Sequence, residues 1–472
     1  MSNYEISMRD VNWGVLAQGL NIASGLILLP VVLIYLSVEE VGLWFVFSSL
    51  TGLAFLLELG LQPSIARYVA YIYAGAQKLQ KVGISSDENN KSINFNLLGD
   101  VFLSAKKIYF RITILVLIFL LGLGSLYITS LVTSSLSLMT VLLAWMMFSI
   151  GFIANFYFGY YIAFLQGRGE ITIANKIIVT NRLLMISFGS LFLILGYGLI
   201  GLGLASLLST VLSRFLLHYM FWKDNTPEAL YLKRINMIYD KNTSGVLWHN
   251  SVKLGWVYVG AFLITRMNVL IASSFLGLTI AASYGLTMQI LIMLSTLAST
   301  LFTLKLPSMN AAQAIGKSEK ILMSFGQSLT LSWLFYFLAA AFIVMFGNDV
   351  LKYFGSNALL LENNLLIAFS VIMFLEMNHS LCASFLTTFN EVSFVASALV
   401  SGFLIVTLSM IFVYVLEFGI WGLILSQGFV QLAYNNWKWP KAAAEKIQVS
   451  FLSLLYIGFS NIFNHALRSI KS

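Results

Sequence analysis

The chain has 472 residues, 59% of them hydrophobic and only 10% charged, with a mean hydropathy of +0.87. Soluble domains carry roughly 25% charged residues, so the composition excludes one and leaves an all-α polytopic membrane protein. The net charge of +8 is distributed as a membrane protein's is, not as a nucleic-acid-binding patch, and a single cysteine, Cys382, permits no intrachain disulfide and suggests no thiol or metal chemistry.

Apolar segments long enough to span a bilayer fall at 11–36, 41–73, 108–131, 137–165, 171–196, 199–222, 250–274, 279–306, 321–346, 363–388, 392–416 and 419–438. They predict about twelve transmembrane helices. The first follows a short charged N-terminus and lacks a small-residue cleavage site, so it is expected to be retained, with residue 1 in the cytoplasm. It offers Gln18 and Asn21 as polar positions.

The second segment puts an acid and an arginine in an apolar run. As one helix it would be about 50 Å long, so a kink is expected, at Pro63 beside Gly60. Counted from Gly42, Glu58 lies about 24 Å down and Arg67 about 37 Å down, on roughly opposite faces. Arg67 reads equally as a snorkelling anchor and as a cavity charge. A carboxyl at the depth of Glu58 marks a functional site, or is a protonated structural residue bonded to a neighbour.

The inner loop 74–107 carries Lys78, Lys81, Lys91, Lys106 and Lys107. Within it Leu97, Leu98, Val101, Phe102 and Ala105 recur at helical spacing, which predicts an amphipathic helix on the inner surface, attracted to anionic lipid headgroups. The fourth span offers Asn155, Tyr157, Tyr160 and Tyr161 as a surface for sugar, or as ordinary packing. Arg182 in the fifth span and Arg266 in the seventh sit too deep to snorkel easily, whereas Arg214 in the sixth, about 13 Å from Lys223, suits a snorkelling side chain. Lys305 ends the eighth span, and Glu376 with His379 three residues on shares one face of the tenth. That pair has the chemistry to pass a proton or help hold a cation; a structural hydrogen bond fits the same spacing.

Between the sixth and seventh spans, residues 223–249 read as a cytoplasmic linker between an N-terminal six-helix lobe, 1–222, and a C-terminal one, 250–440. Residues 441–472 read as an interfacial amphipathic tail on the cytoplasmic side. Lys352 is the only basic residue assigned outside; apart from the four arginines within helices, the others fall on the N-terminus, inner loops or C-terminus, so both termini are expected in the cytoplasm. The halves echo each other at an offset of 221 residues: AFLQGRGE at 163–170 lies over SFLTTFNE at 384–391, and Gly198, Gly201, Leu202 and Leu204 lie over Gly419, Gly422, Leu423 and Leu425. A repeat of six helices in one orientation predicts two lobes related by a pseudo-twofold along the membrane normal.

Gly316-Lys317-Ser318 lacks the first glycine of a phosphate-binding loop, the four histidines show no metal-ligand spacing, and no serine lies in a nucleophile elbow. No cofactor or metal is expected, and transport would be driven by an ion gradient, by substrate flux or by a partner. The membrane-depth cations Arg182, Arg214 and Arg266, with Arg67 and Lys305 added where they face inward, outnumber Glu58 and Glu376. A positive cavity suits an anionic substrate; an internal salt-bridge network is the structural alternative.

The Trp13-Gly14 opening, the ELGLQPSIARYVA stretch at 58–70, the AFLQGRGE turn and twelve helices in two repeated halves resemble the polysaccharide and O-antigen lipid flippases of the multidrug/oligosaccharidyl-lipid/polysaccharide (MOP) exporter superfamily. The resemblance implies a multi-pass protein of the bacterial inner membrane, not an enzyme, serving lipopolysaccharide biosynthesis. It would move an undecaprenyl-diphosphate-linked oligosaccharide from the cytoplasmic to the periplasmic leaflet by alternating access, beside an O-antigen polymerase and a chain-length regulator. In that reading Arg266, Arg182, Arg67, Arg214 and Lys305 meet the diphosphate, Glu58, Glu376 and His379 couple to an ion, and Gln18, Asn21, Asn155, Tyr157 and Tyr160 face the glycan. A cation-coupled drug exporter of the same superfamily would prefer a net acidic cavity. A membrane-embedded O-antigen polymerase or ligase would need a larger charged outer loop than 347–362.

Overall fold

A computed structural model describes residues 8–79, 93–223, 227–234, 241–314, 318–389 and 394–471, and among these the regular structure is entirely helical. The chain divides into two compact units, Met1–Val259 and Gly260–Ser472, with the division inside one helix, Lys241–Thr265. The first unit takes in the stretch expected to be a linker, and the second takes in the tail.

In the first unit, α1 spans Met8–Tyr35 and α2 spans Val38–Phe55. The start of α2 is set by a capping box: the Ser37 hydroxyl accepts from the Glu40 amide at 3.3 Å, and the Glu40 carboxylate accepts from the Ser37 amide at 2.9 Å. The expected kink at Pro63 is instead a full break placed earlier. A 3-10 turn at Leu56–Glu58 is followed by Leu59 and Gly60 at φ 49° and 70°, and α3 then runs Leu61–Tyr73. Proline crowds the carbonyl four residues back, at Leu59, so the chain leaves the helix there and turns through a left-handed pair whose second residue is glycine. Pro63 ends up in the first turn of α3, where a missing N–H costs nothing.

The amphipathic stretch at 97–105 also departs from expectation. It is the start of a long helix, α4, Phe95–Leu117, continued by π-helical Ile118–Gly124 and α5, Ser125–Leu131. Its apolar face is buried within the unit and not on lipid: Phe102 lies against Tyr160, Phe164, Phe221 and Trp222. The fourth span is two helices, α6, Leu138–Tyr157, and α7, Gly159–Gly167, separated at Phe158. Next come α8, Ile171–Ile194, and α9, Gly198–Lys223. α9 packs along α6 and α8, and α8 along α1. At Gly203 a Cβ would sit 2.6 Å from the Ala144 carbonyl oxygen, so α6 and α9 meet backbone to backbone. In the expected linker, Pro227 opens a short helix, α10, Pro227–Arg234, which docks on α4 through a 2.7 Å hydrogen bond from the Tyr231 hydroxyl to Asn96 Oδ1.

α11, Lys241–Thr265, leads into the second unit, which holds α12, Met267–Phe275; α13, Leu278–Ala314; α14, Ser318–Tyr353; α15, Asn363–Leu386; and α16, Val395–Met410. After π-helical Ile411–Val415 come α17, Ile420–Ala433; α18, Asn435–Lys446; and α19, Phe451–Lys471. The tail helix α19 packs along α14, with Gly458 against Gly326 and Thr330, and Leu454 is fully buried.

Among the described residues ten helical stretches are long and apolar enough to cross a membrane, which makes this a multi-pass membrane protein. The segments expected at 11–36 and 419–438 form helices outside those ten. α17 has 14 residues, and α18 carries Lys438, Lys441, Glu445 and Lys446. The repeat seen in the sequence has a local counterpart. Gly198 and Gly419 open α9 and α17 at φ 53° and 56°, and three residues on a Cβ at Gly201 or Gly422 would lie 2.9 Å from the Cβ of Phe192 or Phe412 on the preceding helix.

Candidate functional site

Each unit holds polar residues at membrane depth. In the first, contacts of Gly14 with Asn175 and of Leu28 with Gly189 fix the α1–α8 register at 161 residues, which sets Asn21 level with Arg182. The side chains of Gln18 and Asn21 lie outside the described residues. Asn181 Nδ2 donates to Ser213 Oγ at 2.8 Å, so Arg182 and Arg214 stand at one depth on neighbouring helices. Arg182 is exposed on α8, while Arg214 is 8% exposed and its buried Nε has no hydrogen-bond partner. Arg214 therefore does not snorkel as its distance from Lys223 suggested. It shares the inward face of α9 with Thr210, Ser213, Leu217 and Phe221, all buried.

Glu58 closes the 3-10 turn before the α2–α3 break, is 5% exposed, and accepts a short hydrogen bond from the Tyr109 hydroxyl of α4. Tyr109 in turn rests on Gly159, where a Cβ would lie 3.1 Å from its ring, so the two helix breaks of this unit converge on one phenol. Arg67 is on the far side of the break, exposed, with its guanidinium 5.6 Å from the ring centre of Tyr68. Asn155 and Tyr157 are half-buried at the end of α6. Tyr160 is 1% exposed and packed between Tyr109, Phe102 and Tyr161, so its ring is core in this structure and presents no open face to a sugar.

In the second unit Arg266 interrupts the seventh span. It is the residue before α12, with φ −121° and ψ −27°, and it is half-buried. Its amide donates to Phe262 O at 2.8 Å and its carbonyl accepts from Val269 at 3.2 Å, yet among the described residues its guanidinium forms no ion pair or side-chain hydrogen bond. A guanidinium at a helix N-terminus, where first-turn N–H groups point back towards it, is an arrangement that attracts an anion. Lys305 on α13 is half-buried and lies 3.4 Å from Gln327 Oε1.

Glu376 and His379 are brought together and extended into a network. His379 Nε2 lies 3.5 Å from Glu376 Oε1, Gln431 Nε2 donates to Glu376 Oε2 at 2.9 Å, and His379 Nδ1 lies 2.7 Å from Asn436 Oδ1. Asn435 Nδ2 is shared between Gln431 and Ser401, and Trp439 Nε1 donates to Asn435 Oδ1 at 2.8 Å. These amides flank the break at Tyr434 between α17 and α18. Sequence reasoning passed over them, along with Tyr109, Asn181 and Ser213, because none is charged. Gln427, Gln431 and Asn435, at four-residue spacing in an apolar run, were the signal available.

No family model and no curated protein matches the sequence. Solved structures do. An inward-facing multidrug resistance MATE family transporter of the MOP superfamily matches with a TM-score of 0.70 at 14% identity, over 91% of this chain and 94% of that one. An outward-facing MATE transporter of the same superfamily matches at 0.56 and 16% identity, over 93% and 95%. The lipid II flippase MurJ, in an inward closed conformation, matches at 0.62 and 14% identity, over 96% and 93%. At these identities the likeness concerns the fold, and the chain has the helical fold that MATE transporters and the MurJ flippase share.

Proposed function

We propose that the protein is a flippase that carries an undecaprenyl-diphosphate-linked O-antigen repeat unit across the bacterial inner membrane, with Arg266 gripping the diphosphate. The observation that carries this reading is Arg266 itself, a guanidinium at a helix break in the middle of a span, at the N-terminus of α12, with no acid paired to it among the described residues. An arginine left without a partner at that depth costs at least about 2.5 kcal/mol, so it calls for a counter-charge or water, and a diphosphate supplies two anionic groups that the guanidinium fork can engage. The fold is shared by drug transporters and by a lipid flippase. The deep charges therefore weigh between those readings. Glu58 and Glu376 already hold hydrogen-bond donors, whereas Arg214 and Arg266 hold no acceptor through their side chains among the described residues, and that balance favours an anionic substrate. Coupling is assigned to Glu58 and to the Glu376–His379 pair.

The test is genetic. Deleting the gene should make an undecaprenyl-diphosphate-linked oligosaccharide accumulate on the inner leaflet and should remove surface O-antigen. Arg266→Ala should not restore O-antigen, Arg266→Lys should restore part of it, and both should reach the membrane at normal levels. An alanine variant that restores O-antigen fully would remove Arg266 from the substrate site.

A further inference from the structure

Arg266 sits at a helix end, and that end is tied down two residues later. The Val269 amide donates to the Arg266 carbonyl at 3.2 Å, so Arg266 to Val269 form one hydrogen-bonded turn with Asn268 inside it. Asn268 is fully buried and is bonded to three other helices. Its Nδ2 donates to the Tyr284 hydroxyl of α13 and to the Leu423 carbonyl of α17, at 3.3 Å each, and its Oδ1 accepts from Ser409 Oγ of α16 at 3.0 Å. Ser409 Oγ in turn lies 2.5 Å from Ser426 Oγ, which donates to the same Leu423 carbonyl at 2.9 Å, so the amide, the two hydroxyls and the carbonyl close a ring. On the other side of the break the span is held by packing. A Cβ at Gly402 of α16 would lie 2.8 Å from Leu263 Cβ and 3.0 Å from Gly260 O, so the span and α16 meet there backbone to backbone. The seventh span is thus fastened to α16 before Arg266 and again after it.

We infer that Asn268 is a positioning residue for Arg266, fixing the height and orientation of the turn from which the guanidinium extends. A leucine at 268 would fill nearly the same space without desolvating an amide, but it would leave α12 free to turn or slide against its neighbours; hydrogen bonds to set atoms on three helices do not. A guanidinium that is to engage a diphosphate with both arms of its fork needs its place held to within about 0.5 Å, and a long side chain at a helix end is placed so only when its backbone is fixed. This rests on the flippase reading for what Arg266 grips, and on the hydrogen bonds alone for how Arg266 is held.

The experiment uses the full chain in phosphatidylcholine nanodiscs and two readouts, binding of radiolabelled undecaprenyl diphosphate and backbone hydrogen exchange over residues 262–269. Asn268→Leu keeps the volume and removes the bonds to Tyr284, Leu423 and Ser409. It should weaken binding about tenfold or more and speed exchange at the Arg266 and Val269 amides, and in an Arg266→Ala background the same substitution should weaken binding no further. An asparagine that only supports the fold would weaken binding equally in both backgrounds; that outcome, or wild-type binding by Asn268→Leu, overturns the assignment. Ser409→Ala, which removes only the bond to Asn268 Oδ1, should show the same pattern at a smaller size, and it decides the matter where Asn268→Leu fails to reach the membrane. Wild-type binding and exchange in Ser409→Ala would then overturn it. If wild type binds no undecaprenyl diphosphate while Asn268→Leu still speeds exchange at 266 and 269, the flippase reading fails and Asn268 stands as the residue that fixes the break.

Discussion

Glu58 and Glu376 stood out in the sequence for the same reason, a carboxyl at membrane depth, and the structure gives them different surroundings. Glu58 meets one phenol, that of Tyr109, 51 positions away; Glu376 meets an imidazole and an amide from another helix. Their depth was legible because charge is rare in an apolar run. Their partners were not, because neutral tyrosine and glutamine carry no such mark and contact across helices leaves no trace in one sequence. Tyr109→Phe removes the hydrogen bond that Glu58 accepts among the described residues and leaves a buried carboxyl without that donor, which should cost about 1–3 kcal/mol, whereas Glu58→Gln retains an acceptor for the phenol and should cost less. Thermal unfolding of the purified protein separates them; equal stability of the two variants would show that the bond matters little. At Glu376 the proposal is functional. Glu376→Gln, expressed and inserted normally, should lower surface O-antigen, and normal O-antigen at every external pH examined would leave Glu376 a structural residue.

The helices themselves were foreseen better than their interruptions. Most spans predicted from hydropathy lie on helices of the structure, but the second, fourth, seventh and twelfth are each divided, at Leu59–Gly60, Phe158, Arg266 and Tyr434. Only the first break carried a proline and a glycine to announce it, and even there the turn formed four residues before the proline. The others are held by packing, as Tyr109 on Gly159 illustrates. The predicted surface helix at 97–105 failed for a related reason. Helical spacing shows that a face is apolar, not whether lipid or Phe221 covers it. The tail gives a sharper prediction. A side chain at Gly458 would run into Gly326 and Thr330 of α14, so Gly458→Leu should pry α19 from α14 at a cost of about 1–3 kcal/mol. Gly458→Leu should thus unfold several degrees lower in a fluorescence-detected melt, while Tyr456→Leu, at a position that is 74% exposed, should not.

At the scale of the whole molecule, composition was enough for a polytopic membrane protein, because ten apolar helices demand a bilayer. Orientation follows from basic residues alone: Lys352 is expected on the periplasmic side and both termini in the cytoplasm. Single cysteines in a Cys382→Ser background, probed with a membrane-impermeant thiol reagent in intact spheroplasts, should react at 352 and not at 235; the reverse would invert the topology. Substrate lies beyond both composition and fold, since drug transporters and a lipid flippase share this architecture, and the proposal made for it rests on Arg266, which forms no ion pair among the described residues. The most direct measurement is therefore transport by the purified protein. In proteoliposomes loaded with a fluorescent undecaprenyl-diphosphate-linked oligosaccharide, wild type should expose lipid from the inner leaflet to an impermeant glycosidase, and Arg266→Ala, reconstituted at equal density, should expose no more than empty liposomes do. Equal exposure by wild type and Arg266→Ala, or none by wild type, would contradict the assignment.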